Sequence, residues 1–156
     1  MRVVVGERVG GPEVLAVAER EAPRPGPGEV VVEVAAAGVN YMDIYQREGV
    51  GNYRTDPPFV PGAEGAGTVV AVGSDVTDLS VGDHVAWAGQ GSSYAEQVAL
   101  AANRVVPVPD GMNLQVAAAA ILQGMTAHYL CTSTYPVREG DITVVHAAAG
   151  GVGLLL

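Results

Sequence analysis

Residues 29–37 read EVVVEVAAA, and the architecture follows from how that run is bounded. Its valines are stiff at χ1 and fit a pleated surface, so the run predicts a strand. Gly38 ends it. The segment before it, Ala22-Pro23-Arg24-Pro25-Gly26-Pro27-Gly28, carries three prolines that withhold amide donors. Neither a helix nor a central strand tolerates that, so the chain enters its strongest strand from a stiff connection. On the N-terminal side, Met1–Val5 and Val14–Ala18 read as two short strands separated by the turn Gly10-Gly11-Pro12. On the other side, Asn40–Glu48 reads as a short helix with Asn40 or Gly38 near its start. Gly49–Pro61, with three more prolines, reads as an ordered surface loop. Further strands are expected at Gly65–Val72, Asp83–Trp87, Tyr94–Val98 and Arg104–Val108. Short strands at this rhythm predict a barrel or sandwich.

The pattern changes after Pro109. Asp110-Gly111-Met112-Asn113 offers a turn and a helix cap. Leu114–Tyr129 is rich in Ala and Leu and reads as helix, with a break expected near Gln123-Gly124. Asp141–Val145, after the turn Arg138-Glu139-Gly140, looks like a parallel strand buried on both faces. The last residues, His146 to Leu156, place Gly150, Gly151 and Gly153 between that strand and three leucines. Strand, glycine turn and helix start make half of a βαβ unit. Three leucines cannot nucleate a stable helix, and a parallel strand needs neighbours, so the polypeptide is expected to continue beyond Leu156. The alternative is a small domain whose tail packs back on the barrel.

The net charge of −9 disfavours nucleic acid and anionic membrane surfaces as partners. A dinucleotide is a separate matter, because a helix N-terminus holds a diphosphate with backbone amides. No segment approaches the roughly 20 apolar residues that span a bilayer. The apolar run at the N-terminus is too short for a signal peptide, and the single Cys131 forms no internal disulfide. A cytoplasmic protein is expected.

The glycine spacing is not G-x-G-x-x-G, so taken alone it does not separate a dinucleotide turn from an ordinary strand-to-helix turn. The wider set of motifs goes further. Asn40-Tyr41-Met42-Asp43, Pro61 to Gly67 (PGAEGAG), Val81-Gly82-Asp83-His84-Val85, Gln123-Gly124-Met125-Thr126 and His146 to Gly153 occur in order along the chain. Together they resemble the medium-chain dehydrogenase/reductase superfamily, and within it the zinc-free quinone oxidoreductase branch related to zeta-crystallin. The resemblance implies a mainly β fold with some α: a GroES-like β-barrel catalytic domain over 1–120. The first strand and glycine turn of a truncated Rossmann dinucleotide-binding domain would follow over 121–156. It also implies an active site in the cleft between the domains and a homodimer at full length.

In the zinc-dependent branch a ligand cysteine stands where this chain has Asn40, and a ligand histidine where it has Ala63. Neither residue here offers zinc a sulfur or an imidazole nitrogen. The four-cysteine structural zinc cluster is likewise missing, since the chain holds one cysteine. His84, His128, His146 and Cys131 show no ligand spacing, so no metal site is expected. Alcohol oxidation without a Lewis acid loses its usual alkoxide stabilisation, which favours reduction of a conjugated acceptor.

The resemblance therefore implies an NADPH-dependent quinone reductase of the EC 1.6.5 type, acting on a quinone or an α,β-unsaturated carbonyl, with the isolated 156 residues inactive. It places Asn40, Tyr45 and Tyr53 beside the nicotinamide and substrate. Thr126, Tyr129, Gly150, Gly151, Val152 and Gly153, with Asn40, line the cofactor groove. Asp43 and Glu64 are expected to orient neighbours and not to transfer protons. Each residue also has a plainer role open to it: Asn40 as a helix cap, Tyr45 as an edge aromatic and Tyr53 as a loop residue. Thr126 would bond its own helix and Tyr129 would pack inward. A non-catalytic barrel module with a structural or interaction role is the competing reading.

Overall fold

A computed structural model describes residues 1–156, with seven strands and two α-helices in the order β-β-β-α-β-β-β-β-α. The valine-rich run forms β3 (Glu29–Ala37) with the predicted bounds. Two short strands, β1 (Arg2–Gly6) and β2 (Leu15–Glu19), pair antiparallel ahead of it. Helix α1 spans Tyr41–Glu48 and β4 spans Glu64–Val72. They are followed by β5 (His84–Ala88), β6 (Gln97–Ala101), β7 (Val105–Pro107) and α2 (Leu114–Tyr129). The five later strands form one antiparallel sheet in the order β6-β3-β4-β5-β7.

The sheet curls. The pairing of β3 with β4 shifts register between Val31 and Val32 and again between Val34 and Ala36. An extra residue at such a point bends the strand and raises its twist. The curled sheet encloses Val30, Val32, Val69, Val85, Trp87, Val98 and Leu100, all buried. On its other side Ala117 and Ala118 of α2 lie against Ala66 and Ala86, small residues that let helix and sheet approach closely. Gly67 lets β3 and β4 approach closely within the sheet, because a Cβ there would collide with the Glu33 carbonyl.

The pair β1–β2 closes onto the sheet through the segment before β6. The Val4 amide donates to the Tyr94 carbonyl at 2.8 Å, and the Glu96 amide to Arg2 at 3.1 Å. The strand expected at Tyr94–Val98 therefore begins three residues later, at Gln97, because Tyr94 and Glu96 are taken by β1. The Arg2 backbone N–H, then its guanidinium, hold the Glu96 carboxyl below the usual carboxylate range. That pair is solvent-exposed and adds little stability.

Two expectations fail. Helix α2 has no break at Gln123-Gly124; it runs from its Asn113 cap to Tyr129 and passes into a π-helical turn over Leu130–Thr134. One interior glycine costs about 1 kcal/mol, less than the buried contacts of Ala117, Ala118 and Ala127 return. The helix thus crosses position 120 without interruption. Asp141–Val145 is not a strand, and Ile142 is 96% and Val144 82% exposed. A strand exists only where another strand takes up its hydrogen bonds, and none of the seven runs beside this segment. The glycines that follow form consecutive turns, in which the Leu154 amide donates to Gly150 at 2.9 Å.

Trp87 carries the largest side chain in the core, and its indole N–H donates to the buried Ser93 hydroxyl at 2.9 Å. Ser93→Ala strands that donor and is expected to cost about 1–3 kcal/mol. Denaturant unfolding followed by the chain's one tryptophan measures the loss; a change under about 0.5 kcal/mol would show that the bond contributes nothing net.

Candidate functional site

The candidate site is built where β4 begins, where α1 begins and where α2 passes its midpoint. Glu64, the first residue of β4, is 1% exposed. Burying a carboxylate demands partners, and no cation supplies one here. Three N–H groups do so instead. The Asn40 amide nitrogen donates to Glu64 Oε1 at 2.7 Å, and Gln123 Nε2 donates to the same oxygen at 3.2 Å. The Leu122 backbone N–H donates to Oε2 at 3.1 Å. Gln123 Nε2 also donates to Asn40 Oδ1 at 3.0 Å, closing a triangle of side chains from α1's cap, β4 and α2. A side chain at Gly38 would collide with the Glu64 carboxylate, so glycine is required behind it.

Asn40 occupies the N-cap of α1, as one expected role had it, in a capping box with Asp43, which accepts from the Asn40 backbone N–H at 2.8 Å. The Asn40 amide also bonds Glu64 and Gln123. Asp43 is itself 6% exposed and accepts the Tyr94 hydroxyl at 2.9 Å. Burial first, then the hydrogen bond and charge of Asp43, push the Tyr94 phenol far above its ordinary range. The turn Pro61–Ala63 is clamped against this pair: the Tyr94 amide donates to Pro61 at 3.0 Å and the Ser93 amide to Gly62 at 3.2 Å. Gly62 has φ +99°, and a Cβ there would strike the Tyr94 ring.

The tyrosines form a separate group. Tyr45 lies one turn along α1 from Tyr41, their rings 6.3 Å apart, and Tyr53 on the following turn stands 5.7 Å from Tyr45. Tyr45 is 41% and Tyr53 47% exposed, and neither side chain is hydrogen-bonded to Asn40. Tyr53 borders a cavity of about 240 Å³ with Met42, Gln46, Gly62, Ala63 and Gln90. Thr126 bonds back to the Leu122 carbonyl at 2.7 Å, its plainer role, and Tyr129 is exposed rather than packed inward. Gly151 brings the tail onto α2: a Cβ there would sit 2.8 Å from Gln123 Cγ. Gly153 packs as closely against Ala147 and Ala148, and Val152 lies in the same turn. No three His, Cys, Asp or Glu side chains converge in an arrangement able to hold a metal ion.

Gln123 and Tyr94 were not among the sequence-derived site residues. Gln123 is the one long polar side chain in the apolar middle of α2. Glu64 is the one charge within Pro61–Val72. A buried amide facing a buried carboxylate was the signal available in both. Gln123 Oε1 is buried and has no partner, an acceptor left open beneath the glycine turn.

This curled sheet and its α1/β4/α2 corner belong to a recognised class. The family described as alcohol dehydrogenase GroES-like domain matches residues 26–110, and the chain belongs to that family. Its relatives sharpen the placement. A probable quinone oxidoreductase of Schizosaccharomyces pombe is 45% identical over 150 residues, covering 96% of this chain and 45% of the relative. A quinone oxidoreductase of Pseudomonas aeruginosa is 46% identical over 149 residues, covering 93% and 45%. Among solved structures, Escherichia coli quinone oxidoreductase complexed with NADPH superposes with a TM-score of 0.94 at 35% identity, covering 99% of this chain and 47% of that one. A mycobacterial protein complexed with NADPH gives 0.93 at 44% identity, covering 99% and 48%. The chain thus resembles the zeta-crystallin-like branch of the medium-chain superfamily and spans a little under half the length of these relatives. No helix is long and apolar enough to cross a membrane.

Tyr94 titration gives a signed prediction. A phenol whose pKa is raised on folding binds its proton more tightly in the native state. The stability it contributes is complete below the unfolded value of about 10 and falls as pH rises beyond it. Tyr94→Phe is expected to flatten the stability profile above pH 10. Melting temperatures of the two proteins across that range check it, and parallel profiles would refute it.

Proposed function

We propose that the protein is an NADPH-dependent reductase that passes hydride to a quinone or an α,β-unsaturated carbonyl, without a metal. The observation that carries this reading is the Asn40 amide held between Glu64 and Gln123. The position that bears a metal-ligand cysteine in zinc-dependent relatives bears here an oriented hydrogen-bonding group. NADPH-bound relatives of the same fold support the choice of cofactor.

The residues present fit a bound dinucleotide. Gln123 Oε1 is a buried acceptor awaiting a donor, and the glycine turn lies over Gln123 at Gly151. When bound, the nicotinamide would supply hydride. Gly150, Gly151, Val152 and Gly153 would cradle the diphosphate with backbone amides. Thr126 and Tyr129, on successive turns of α2, would wall the groove. Asn40 would orient the substrate carbonyl, and the Tyr45–Tyr53 pair would provide an aromatic wall and a phenolic hydrogen. Asp43 fixes the start of α1, so Asn40 is presented in one orientation. In this reading residues 1–120 are the catalytic barrel and 121–156 open the nucleotide-binding domain. The protein works in the cytoplasm on a small-molecule acceptor and pairs as a homodimer at full length.

The test uses the polypeptide as its gene encodes it. NADPH oxidation at 340 nm is expected on adding a simple quinone or an alkenal. Asn40→Ala is expected to lower kcat/KM about tenfold, the worth of one oriented hydrogen bond of ~1.4 kcal/mol in the transition state. Nucleotide binding without turnover of either acceptor would favour the non-catalytic module, and zinc-dependent alcohol oxidation would refute the reading outright.

A further inference from the structure

We propose that Glu64 is a positioning residue that acts on the reaction through the Asn40 amide alone. The assignment rests on the reductase reading above and deepens it. Three features of the geometry point to it. First, both ends of the Asn40 amide are defined: Nδ2 donates to Glu64 Oε1 and Oδ1 accepts from Gln123 Nε2. Turning the amide over would set its oxygen against the carboxylate and its NH₂ against the Gln123 donor, so one orientation is enforced. A primary amide has two N–H groups, and the bond to Glu64 uses one. The other is left for an acceptor such as a substrate carbonyl.

Second, every partner of Glu64 is a donor: Asn40, Gln123 and the Leu122 backbone. The carboxylate is 1% exposed, and its oxygens are occupied as acceptors by amide N–H groups, which are far too weakly acidic to hand over a proton at working pH. This is the arrangement of a fixed anchor, not of a proton carrier. Third, the anchor joins three elements. Glu64 starts β4, Asn40 starts α1, and Leu122 and Gln123 sit in the middle of α2, the helix from which the glycine turn approaches. The α2 donors hold the carboxylate that holds the amide, and Gly38 is bare so that the carboxylate can lie there.

The test is a double-mutant cycle on the complete protein with Asn40→Ala, Glu64→Gln and both together. Each single change is expected to lower kcat about tenfold, with the same shift in KM for NADPH in both. The double variant should be no slower than Asn40→Ala alone, because Glu64 has nothing left to position. The shape of the kcat pH profile should be the same in Glu64→Gln as in the parent. If the double variant is about a hundredfold slower, or if Glu64→Gln deletes a limb of the pH profile, Glu64 acts independently and the proposal falls. Should Glu64→Gln fail to fold, Gln123→Leu takes its place. It removes the bracing donor and leaves the carboxylate, and the same non-additivity with Asn40→Ala is required. A readout independent of turnover separates this proposal from the reductase reading. The side-chain amide NMR signals that vanish in Asn40→Ala should be protected from exchange in the parent and lose that protection in Glu64→Gln. If the parent reduces no acceptor but the amide behaves so, the reductase reading fails while the placement stands. An Asn40 amide unchanged in Glu64→Gln sinks the placement itself.

Discussion

A carboxylate shut away from water with no cation beside it is the constraint on which the site depends. Glu64 carries its carboxyl group into a corner where only N–H groups meet it: Asn40 and Gln123 share one oxygen, and the Leu122 amide alone keeps the other from being stranded in low dielectric. Those donors belong to three different elements. Satisfying one carboxylate therefore fixes where α1 begins and which turn of α2 faces it. Site geometry here is a by-product of electrostatic necessity, which makes it stiff.

The rest of the fold supports that corner. Bulges in β3 against β4 curl the sheet so that the first residue of β4 points away from the valine core and toward α2. Alanines at the helix–sheet contact allow the approach that puts Leu122 and Gln123 within hydrogen-bonding range. A second layer, Tyr94 to Asp43 to the Asn40 backbone, holds α1 from below while Glu64 holds its amide from above. Tyr94 also hands its carbonyl to β1, so the pair β1–β2 and the site share one residue as their joint.

How much of this could be read from the sequence varies by element. β3 and α2 were legible to the residue because period and composition are local properties: valines for one, alanine and leucine with an Asn113 cap for the other. The sheet edge was not. Whether Tyr94 to Glu96 belong to a strand depends on which distant segment claims their hydrogen bonds, and β1 does so from ninety residues away. The break placed at Gln123-Gly124 misjudged the same kind of competition, since packing along α2 outweighs one glycine's propensity. Asp141–Val145 is the converse case: its strand propensity is high, yet no partner strand lies alongside and it joins no sheet, leaving Ile142 and Val144 exposed. Asn40 was visible as a cap. That its amide would also be held by Glu64 and Gln123 depends on β4 and α2, which approach it only in three dimensions.

One side chain ties these levels together: this chain sets an amide at position 40, where the start of α1 meets β4 and α2. An amide fixes nothing by itself, because it can turn over and either end can hydrogen-bond. It becomes directional only when a neighbour distinguishes nitrogen from oxygen. A buried carboxylate does so strongly, since it accepts and never donates, and a glutamine whose donor spans carbonyl and carboxylate closes the choice.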